Sequence, residues 1–294
     1  MTEAQDNTPK LVFIQKIKSF LMEKTKTPCL PLKCVPQKTG PFDSKIGGEP
    51  YLPPGFAYPT VNPSAVQSNP SKQQKKNIGG DGATPSPLKL LAQLNFDTLP
   101  RVPDFPTTGI LQIYIDPADG SLGHDYENMM DQSHWRIIYH PTIEHDEAKL
   151  QKPPHFPETE ELPFEEEHLI APETLIEAAI NPFDYRYDSL VEEAFSEEAS
   201  ELGLDITEII GEFYEQALNA LDTTNNHQIG GYPSFAQEDP RHNTQYQDCD
   251  TLLLQINSDE KIMWGDMGIA NFFIRRDDLK ACRFDRVLYN WDCS

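Results

Sequence analysis

The chain has 294 residues, a net charge of −23 and 26 prolines, and it is long enough for one large domain or two small ones. The negative charge argues against binding to nucleic acid or to an anionic membrane surface. No segment approaches the roughly 20 apolar residues of a membrane-spanning helix, and the first residues lack the order of a secretory signal. The sequence therefore predicts a cytoplasmic protein.

The first predicted element is a helix from about residue 10 to residue 24. Its buried side consists of apolar residues at helical spacing, which are Leu11, Ile14, Ile17, Phe20 and Leu21. From residue 58 to residue 87 the chain is rich in Pro, Ser, Asn, Gln and Gly, which predicts a surface loop.

The negative charge is concentrated in the middle of the chain. Residues 141–222 contain 23 Asp or Glu and three basic residues, a net charge of −20. Apolar spacing predicts helices from about Ser189 to Glu201 and from Asp205 onward, and a shorter helix after Pro172. The acidic side chains are expected either to face solvent or to bind a basic protein partner.

Four short blocks occur twice in the same order, which indicates an internal duplication. They are 47–50 with 230–233, 90–97 with 252–259, 109–115 with 268–274, and 136–139 with 286–289. The last three pairs are short, β-branched or aromatic segments bounded by turn residues, so they are predicted strands. Each Gly-Gly pair is expected to form a turn that a Cβ would block.

These elements predict an α+β fold. Two related antiparallel sheets, from halves at about 40–140 and 228–294, would share one core, with the acidic helical segment 141–222 between them in sequence. The whole chain is treated as a single domain, because the halves are short for independent domains.

The repeated strands carry the candidate site residues Gln93, Asn95, Gln255 and Asn257. Alternation along a strand points both amides of a half to one face. They would either line a ligand groove between the halves or satisfy buried backbone groups. Further candidates for the ligand site, each with an ordinary turn or loop role as the alternative, are Gln237, Trp264 and Asp266.

No catalytic motif is found. Ser234 lacks the Gly-x-Ser-x-Gly elbow, and His140 and His145 do not have the spacing of a standard metal site. The five cysteines are odd in number and loosely spaced, as expected for reduced thiols. Cys29 and Cys34 have no second pair to complete a zinc site. No metal, cofactor or enzymatic activity is predicted.

The two Gly-Gly turns, the two Gln-x-Asn strands and the run 264–274 resemble the YwqG family of uncharacterised, mainly bacterial proteins. The resemblance extends from about Gly47 to Asp292 and is strongest from Ile229 to Asp285. It implies a mixed α and β fold and a cytoplasmic protein, and it brings no activity or catalytic residues. Some family members are thought to lie near bacterial toxin genes, so the resemblance is compatible with an immunity-type role.

Two functional hypotheses follow. The first is a non-enzymatic protein whose acidic segment binds a basic protein partner. The alternative is a small-molecule-binding protein, or an enzyme without a known motif, with a site between the two halves. The sequence makes no prediction of oligomeric state.

Overall fold

The computed structural model describes residues 8–61, 86–156, 162–202 and 226–294. The α-helices of these residues are α1 (Thr8–Thr25), α2 (Tyr187–Leu202) and α3 (Arg276–Lys280). The first strands are β1 (Thr27–Pro36), β2 (Lys45–Ile46), β3 (Lys89–Asn95), β4 (Ile110–Ile115) and β5 (Trp135–His140). The remaining strands are β6 (His168–Pro172), β7 (Ile176–Ala178), β8 (His227–Gly230), β9 (Thr251–Asn257), β10 (Ile269–Ile274) and β11 (Leu288–Asp292).

Within the described chain these strands form one antiparallel sheet in the order β11-β10-β9-β8-β1-β6-β2-β3-β4-β5, and β7 also pairs with β1. The α+β class and the antiparallel pairing agree with the sequence prediction. The expectation of two separate sheets was wrong, because β1 and β6 join the strands of both halves by backbone hydrogen bonds.

The sheet curls until its two edge strands meet across the core. Trp135 of β5 lies 5.3 Å from Tyr289 of β11, measured between ring centroids. The Tyr289 ring in turn stacks on Phe272 of β10 at 4.6 Å. One hydrophobic cluster contains residues from both halves, among them Leu94, Ile113, Trp135, Leu254 and Phe272. The concave face of the sheet therefore encloses a common core.

The helices α1 and α2 pack on each other outside this core. Phe13 and Phe195 make an edge-to-face contact at 5.1 Å, and Ile17 and Leu21 are buried beside them. The predicted N-terminal helix is thus confirmed, while the side chains of Leu11 and Ile14 lie outside the described part of the structure. No described helix is long and apolar enough to cross a bilayer.

The described part of the acidic segment 141–222 contains one helix and one strand where the sequence predicted helices. The helix expected after Pro172 was wrong, because these residues form β7, in which Ile176 pairs with Cys29 of β1. The prediction from Ser189 to Glu201 matches α2. The helix predicted from Asp205 and most of the loop predicted at 58–87 lie outside the described residues.

Candidate functional site

The amide of Gln93 holds the loop that follows the first Gly-Gly pair. Its Oε1 accepts a hydrogen bond from the backbone N–H of Tyr51 at 2.8 Å, and its Nε2 donates to the carbonyls of Pro41 and Asp43. On the neighbouring strand, Gln112 Nε2 donates to the Tyr51 carbonyl at 2.8 Å. The two glutamines therefore bind both backbone groups of Tyr51.

Gln255 does the same after the second Gly-Gly pair. Its Oε1 accepts from the backbone N–H of Ser234 at 2.7 Å, and its Nε2 donates to the Asn226 carbonyl at 2.9 Å. Asn271 Nδ2 donates to the Ser234 carbonyl at 2.8 Å. Tyr51 and Ser234 each lie four residues after the first glycine of their pair, so the two arrangements correspond residue by residue.

The two asparagines lie at the ends of their strands. Asn95 donates from Nδ2 to the Phe42 carbonyl at 2.7 Å, and its backbone N–H donates to Ser44 Oγ. The backbone N–H of Asn257 donates to His227 Nδ1 at 3.1 Å, while Asn257 Oδ1 has no hydrogen-bond partner among the described residues. The Asn95 amide therefore fits the backbone-satisfying interpretation, whereas the Asn257 contact is made by its backbone and does not bear on the role of its side chain.

The sheet order separates the two pairs of amides. Five inter-strand steps lie between β3 and β9, a path of about 24 Å along the sheet at about 4.8 Å per step. Each glutamine binds the loop of its own Gly-Gly unit, and no described hydrogen bond joins Gln93 to Gln255. Sequence reasoning missed Gln112 and Asn271 as their partners, although both occupy the same place in the third repeated block.

The other three candidates lie near the C-terminus. Trp264 is fully buried, and its ring lies 5.9 Å from that of Trp291. Asp266 is exposed, and its carbonyl accepts from the N–H of Ser294. Gln237 Nε2 donates to the Cys293 carbonyl at 2.8 Å. No contact joins these residues to the four amides in the described structure, and their ligand-binding role stays a prediction.

Gln237 also borders a hollow of about 380 Å³ beside a buried charge network. In that network Arg241 is fully buried and donates to Asp184 at 2.9 Å and to Asp239 at 2.7 Å. Burial opposes ionisation of Asp184, but hydrogen bonding and charge from Arg186 and Arg241 outweigh it and lower the pKa of the carboxyl. Because each charge in this network has a partner, the network is better explained as part of the fold than as a catalytic site.

Three histidines, His227, His140 and His134, each have a hydrogen-bond partner. Both ring nitrogens of His227 are engaged, with the N–H of Asn257 and with Asp259 at 3.0 Å. Burial lowers the pKa of His140 to about 4, and its Nε2 lies 3.0 Å from Gln112 Oε1. His134 pairs through Nδ1 with Asp116 at 2.8 Å, and neither residue borders the hollow beside Gln237. No group of three or more metal ligands occurs among the described residues.

The larger hollow is a groove of about 950 Å³. Its lining includes Leu90 of β3, Tyr58 and the turn at 48–50. The segments 153–156 and 164–167 supply further walls, and both belong to the acidic middle of the chain. Ligand sites are concave surfaces with a few converging polar groups, so this groove is the best candidate site in the described chain.

Three carboxylates of the groove have no ion-pair partner in the part of the chain that the structure describes. They belong to Glu49, Glu165 and Glu166, and all three side chains are exposed. The fourth, Glu167, is bound by Lys38 Nζ at 3.1 Å and by Thr39 Oγ1 at 2.5 Å. Burial raises the pKa of Glu167, but these hydrogen bonds outweigh burial and lower it. The groove therefore presents net negative charge.

Aromatic rings complete the lining. Phe156 lies 6.1 Å from Tyr58 between ring centroids, and Lys89 Nζ sits 4.8 Å from the Phe156 centroid. A cation therefore lies on a ring of this groove, and the three glutamates line the same groove. Cationic groups bind both aromatic faces and carboxylates, so the lining favours a positively charged ligand. The sequence did not predict this groove.

Comparison with protein families places residues 44–293 in the domain of unknown function DUF1963. The match covers ten of the described strands, from β2 to β11, and leaves out β1, although β1 lies in the middle of the sheet. Comparison with curated proteins gave no match.

Proposed function

The chain belongs to the DUF1963 family, and we propose that it is a binding protein whose groove takes a positively charged segment of a partner protein. The observation that carries the proposal is the set of three unpaired carboxylates, Glu49, Glu165 and Glu166, around an aromatic groove of about 950 Å³. Complementary charge orients a partner and speeds association. Aromatic faces add attraction for Arg and Lys.

A peptide with several basic side chains fits the placement of these carboxylates. Glu49 belongs to the turn after β2, and Glu165 and Glu166 precede β6, which pairs with β2, so the charges come from two neighbouring segments of the lining. The volume lies near the upper end of the range of about 300–1,000 Å³ for small-ligand sites. A ligand with one charge would contact one of these segments, whereas a peptide with several basic side chains can contact both.

The acidic segment would still contact the basic partner, and within this segment residues 153–156 and 164–167 would make the contact. A place in the YwqG family, a cytoplasmic location and an immunity-type role are parts of the same proposal. The location is supported by the cysteines, since all five are free thiols.

We also infer that the two Gly-Gly units descend from one duplicated unit. The support is the equal spacing from each glycine pair to Tyr51 and Ser234, and the same two amide contacts to each residue. Loops diverge faster than such buried contacts, which accounts for the unequal lengths between the repeated blocks.

Reversing two groove charges tests the proposal. The double variant Glu165→Lys, Glu166→Lys should bind a fluorescein-labelled, acetylated Arg- and Phe-containing peptide about tenfold more weakly than the parent, because each lost contact contributes about 1 kcal/mol or less. Fluorescence anisotropy of the full chain at low and at moderate salt measures the affinity. Parent binding should weaken as salt rises.

The matched control is the double variant Glu177→Lys, Glu192→Lys. Both positions are exposed, carry no ion pair among the described residues and lie outside the groove, so the net charge changes equally. Equal loss of affinity in the two variants would show that the overall negative charge of the protein attracts the peptide. The groove would then have no specific part in binding. Binding of a small organic cation in place of the peptide would favour a small-molecule-binding protein instead.

A further inference from the structure

Lys45 is a fully buried lysine next to the turn at 48–50 that lines this groove. It lies on β2, is 0% exposed, and pairs with Gln93 of β3. Its Nζ donates to the carbonyls of Gly40 at 2.6 Å and Glu49 at 2.7 Å. Glu49 borders the groove, so the hydrogen bond to its carbonyl places the Lys45 ammonium close to the groove surface.

The second half has an uncharged residue at the corresponding place. Gln228 also stands two residues before a Gly-Gly pair, and it pairs with Gln255 of β9. Its Nε2 donates to the Tyr232 carbonyl at 2.8 Å, as Lys45 does to the carbonyl of Glu49. An amide is therefore sufficient to hold this turn, and the positive charge of Lys45 requires another explanation.

Three carboxylates surround the charge. Asp43 precedes β2, Glu49 follows it, Glu167 is the residue before β6, and β3 contributes the neutral Gln93. Burial lowers the pKa of Lys45 to about 8, and the attraction of the three carboxylates offsets part of that effect. Two of them, Glu49 and Glu167, line the groove. A proton on Lys45 therefore changes the charge directly behind the ligand surface.

We propose that Lys45 is a specificity-determining residue of the groove, whose positive charge weakens the binding of cationic ligands and whose loss of a proton strengthens it. This inference rests on the proposed function, because it concerns the same groove. A unit charge some 8 Å from a ligand charge changes affinity about fivefold at an effective dielectric constant of about 40. Buried ionisable groups kept at such positions often tune a functional site.

The experiment compares the parent with Lys45→Gln and Lys45→Arg by anisotropy between pH 7 and pH 9. The probe is the acetylated peptide with Arg as its only basic residue, which keeps its charge throughout this range. Parent affinity should rise about threefold from pH 7 to pH 9, because a lysine with a pKa of about 8 is about nine-tenths protonated at pH 7 and about one-tenth protonated at pH 9. Lys45→Gln should bind tightly at both ends of the range, whereas Lys45→Arg should bind weakly at both.

The control is Lys261→Gln, which removes an exposed charge outside the groove and should keep the parent profile. If Glu165 and Glu166 are needed for binding but Lys45→Gln keeps the parent profile, the role of Lys45 is overturned and the proposed function stands. If the parent binds no peptide at any pH, both the role of Lys45 and the proposed function are overturned. Should neither Lys45 variant fold, a parent affinity that stays flat from pH 7 to pH 9 overturns the inference by itself.

Discussion

Gln93 and Gln255 form hydrogen bonds with the backbone of a neighbouring loop, as an adjacent β-strand would do. Both are fully buried, and each accepts from an N–H while a side chain on the next strand donates to the carbonyl of the same residue. A buried polar group without a partner costs about 1–3 kcal/mol. The amides therefore allow irregular loops to cover the convex face of the sheet.

Truncating one amide tests this role against ligand binding. Gln255→Ala leaves the N–H of Ser234 and the carbonyl of Asn226 without their partner, so the free energy of unfolding should fall by about 2–4 kcal/mol. Urea denaturation measures the loss, with the exposed Gln245→Ala as the control. A Gln255→Ala protein of parent stability that lost a ligand would instead assign the amide to a binding site.

At the scale of elements, each Gly-Gly turn directs the loop that follows it toward the glutamine, Gln93 or Gln255, that binds it. Gly47, Gly48, Gly230 and Gly231 all have φ between +68° and +72°, a region that other residues seldom adopt. A Cβ on Gly230 would stand 2.5 Å from the carbonyl oxygen of Pro28 in β1. The turn therefore requires glycine for its conformation and for its close approach to β1.

Comparing two glycines separates these requirements. Gly55 has a φ of +76° with open space around its Cβ position, so Gly55→Ala should lose only the conformational part, about 1–2 kcal/mol. Gly230→Ala should lose about 2 kcal/mol more, because a backbone atom must move. Thermal and urea unfolding measure both variants. If both variants lost the same free energy of unfolding, the close approach of Gly230 to β1 would have no cost. Backbone strain would then be the only reason for glycine at this position.

The repeated blocks predicted the strands β3, β4, β5, β9, β10 and β11, because short apolar segments between turn residues have few other conformations. The central strand β1 was missed. It contains Pro28, Pro31 and Pro36, and proline argues against a central strand. Three short partners, β6, β7 and β8, each cover only part of β1, an arrangement that depends on tertiary contacts.

The candidate site was predictable only in its parts. The alternation of Gln93 and Asn95 correctly placed both amides on one face, and the Gly-Gly turns were correctly expected to need glycine. The groove escaped prediction because its walls come from residues near 38, 49, 89, 155 and 166, which are far apart in sequence. Local patterns carry no information about such an assembly.

At the scale of the whole molecule, the contact between the edge strands unites the two halves. Trp135 is fully buried, and its ring lies 5.9 Å from Phe272 and 5.3 Å from Tyr289. The Trp291 indole donates to the Ser121 carbonyl at 2.8 Å across the same junction. Since the core residues of one half pack on those of the other, neither half has a complete core of its own.

Removing the Trp135 side chain should therefore destabilise the opposite edge of the sheet. Trp135→Ala is expected to lower the free energy of unfolding by about 3–5 kcal/mol and to speed amide hydrogen exchange in β10 and β11 as much as in β4 and β5. Mass-spectrometric exchange on the full chain measures both regions, and Tyr126→Ala, at a side chain 70% exposed, serves as the control. Faster exchange confined to β4 and β5 would show that the halves unfold separately, because a cooperative unit loses protection as a whole. Exchange that rises on both edges would mean that the junction of β5 with β10 and β11 makes the curled sheet one folding unit.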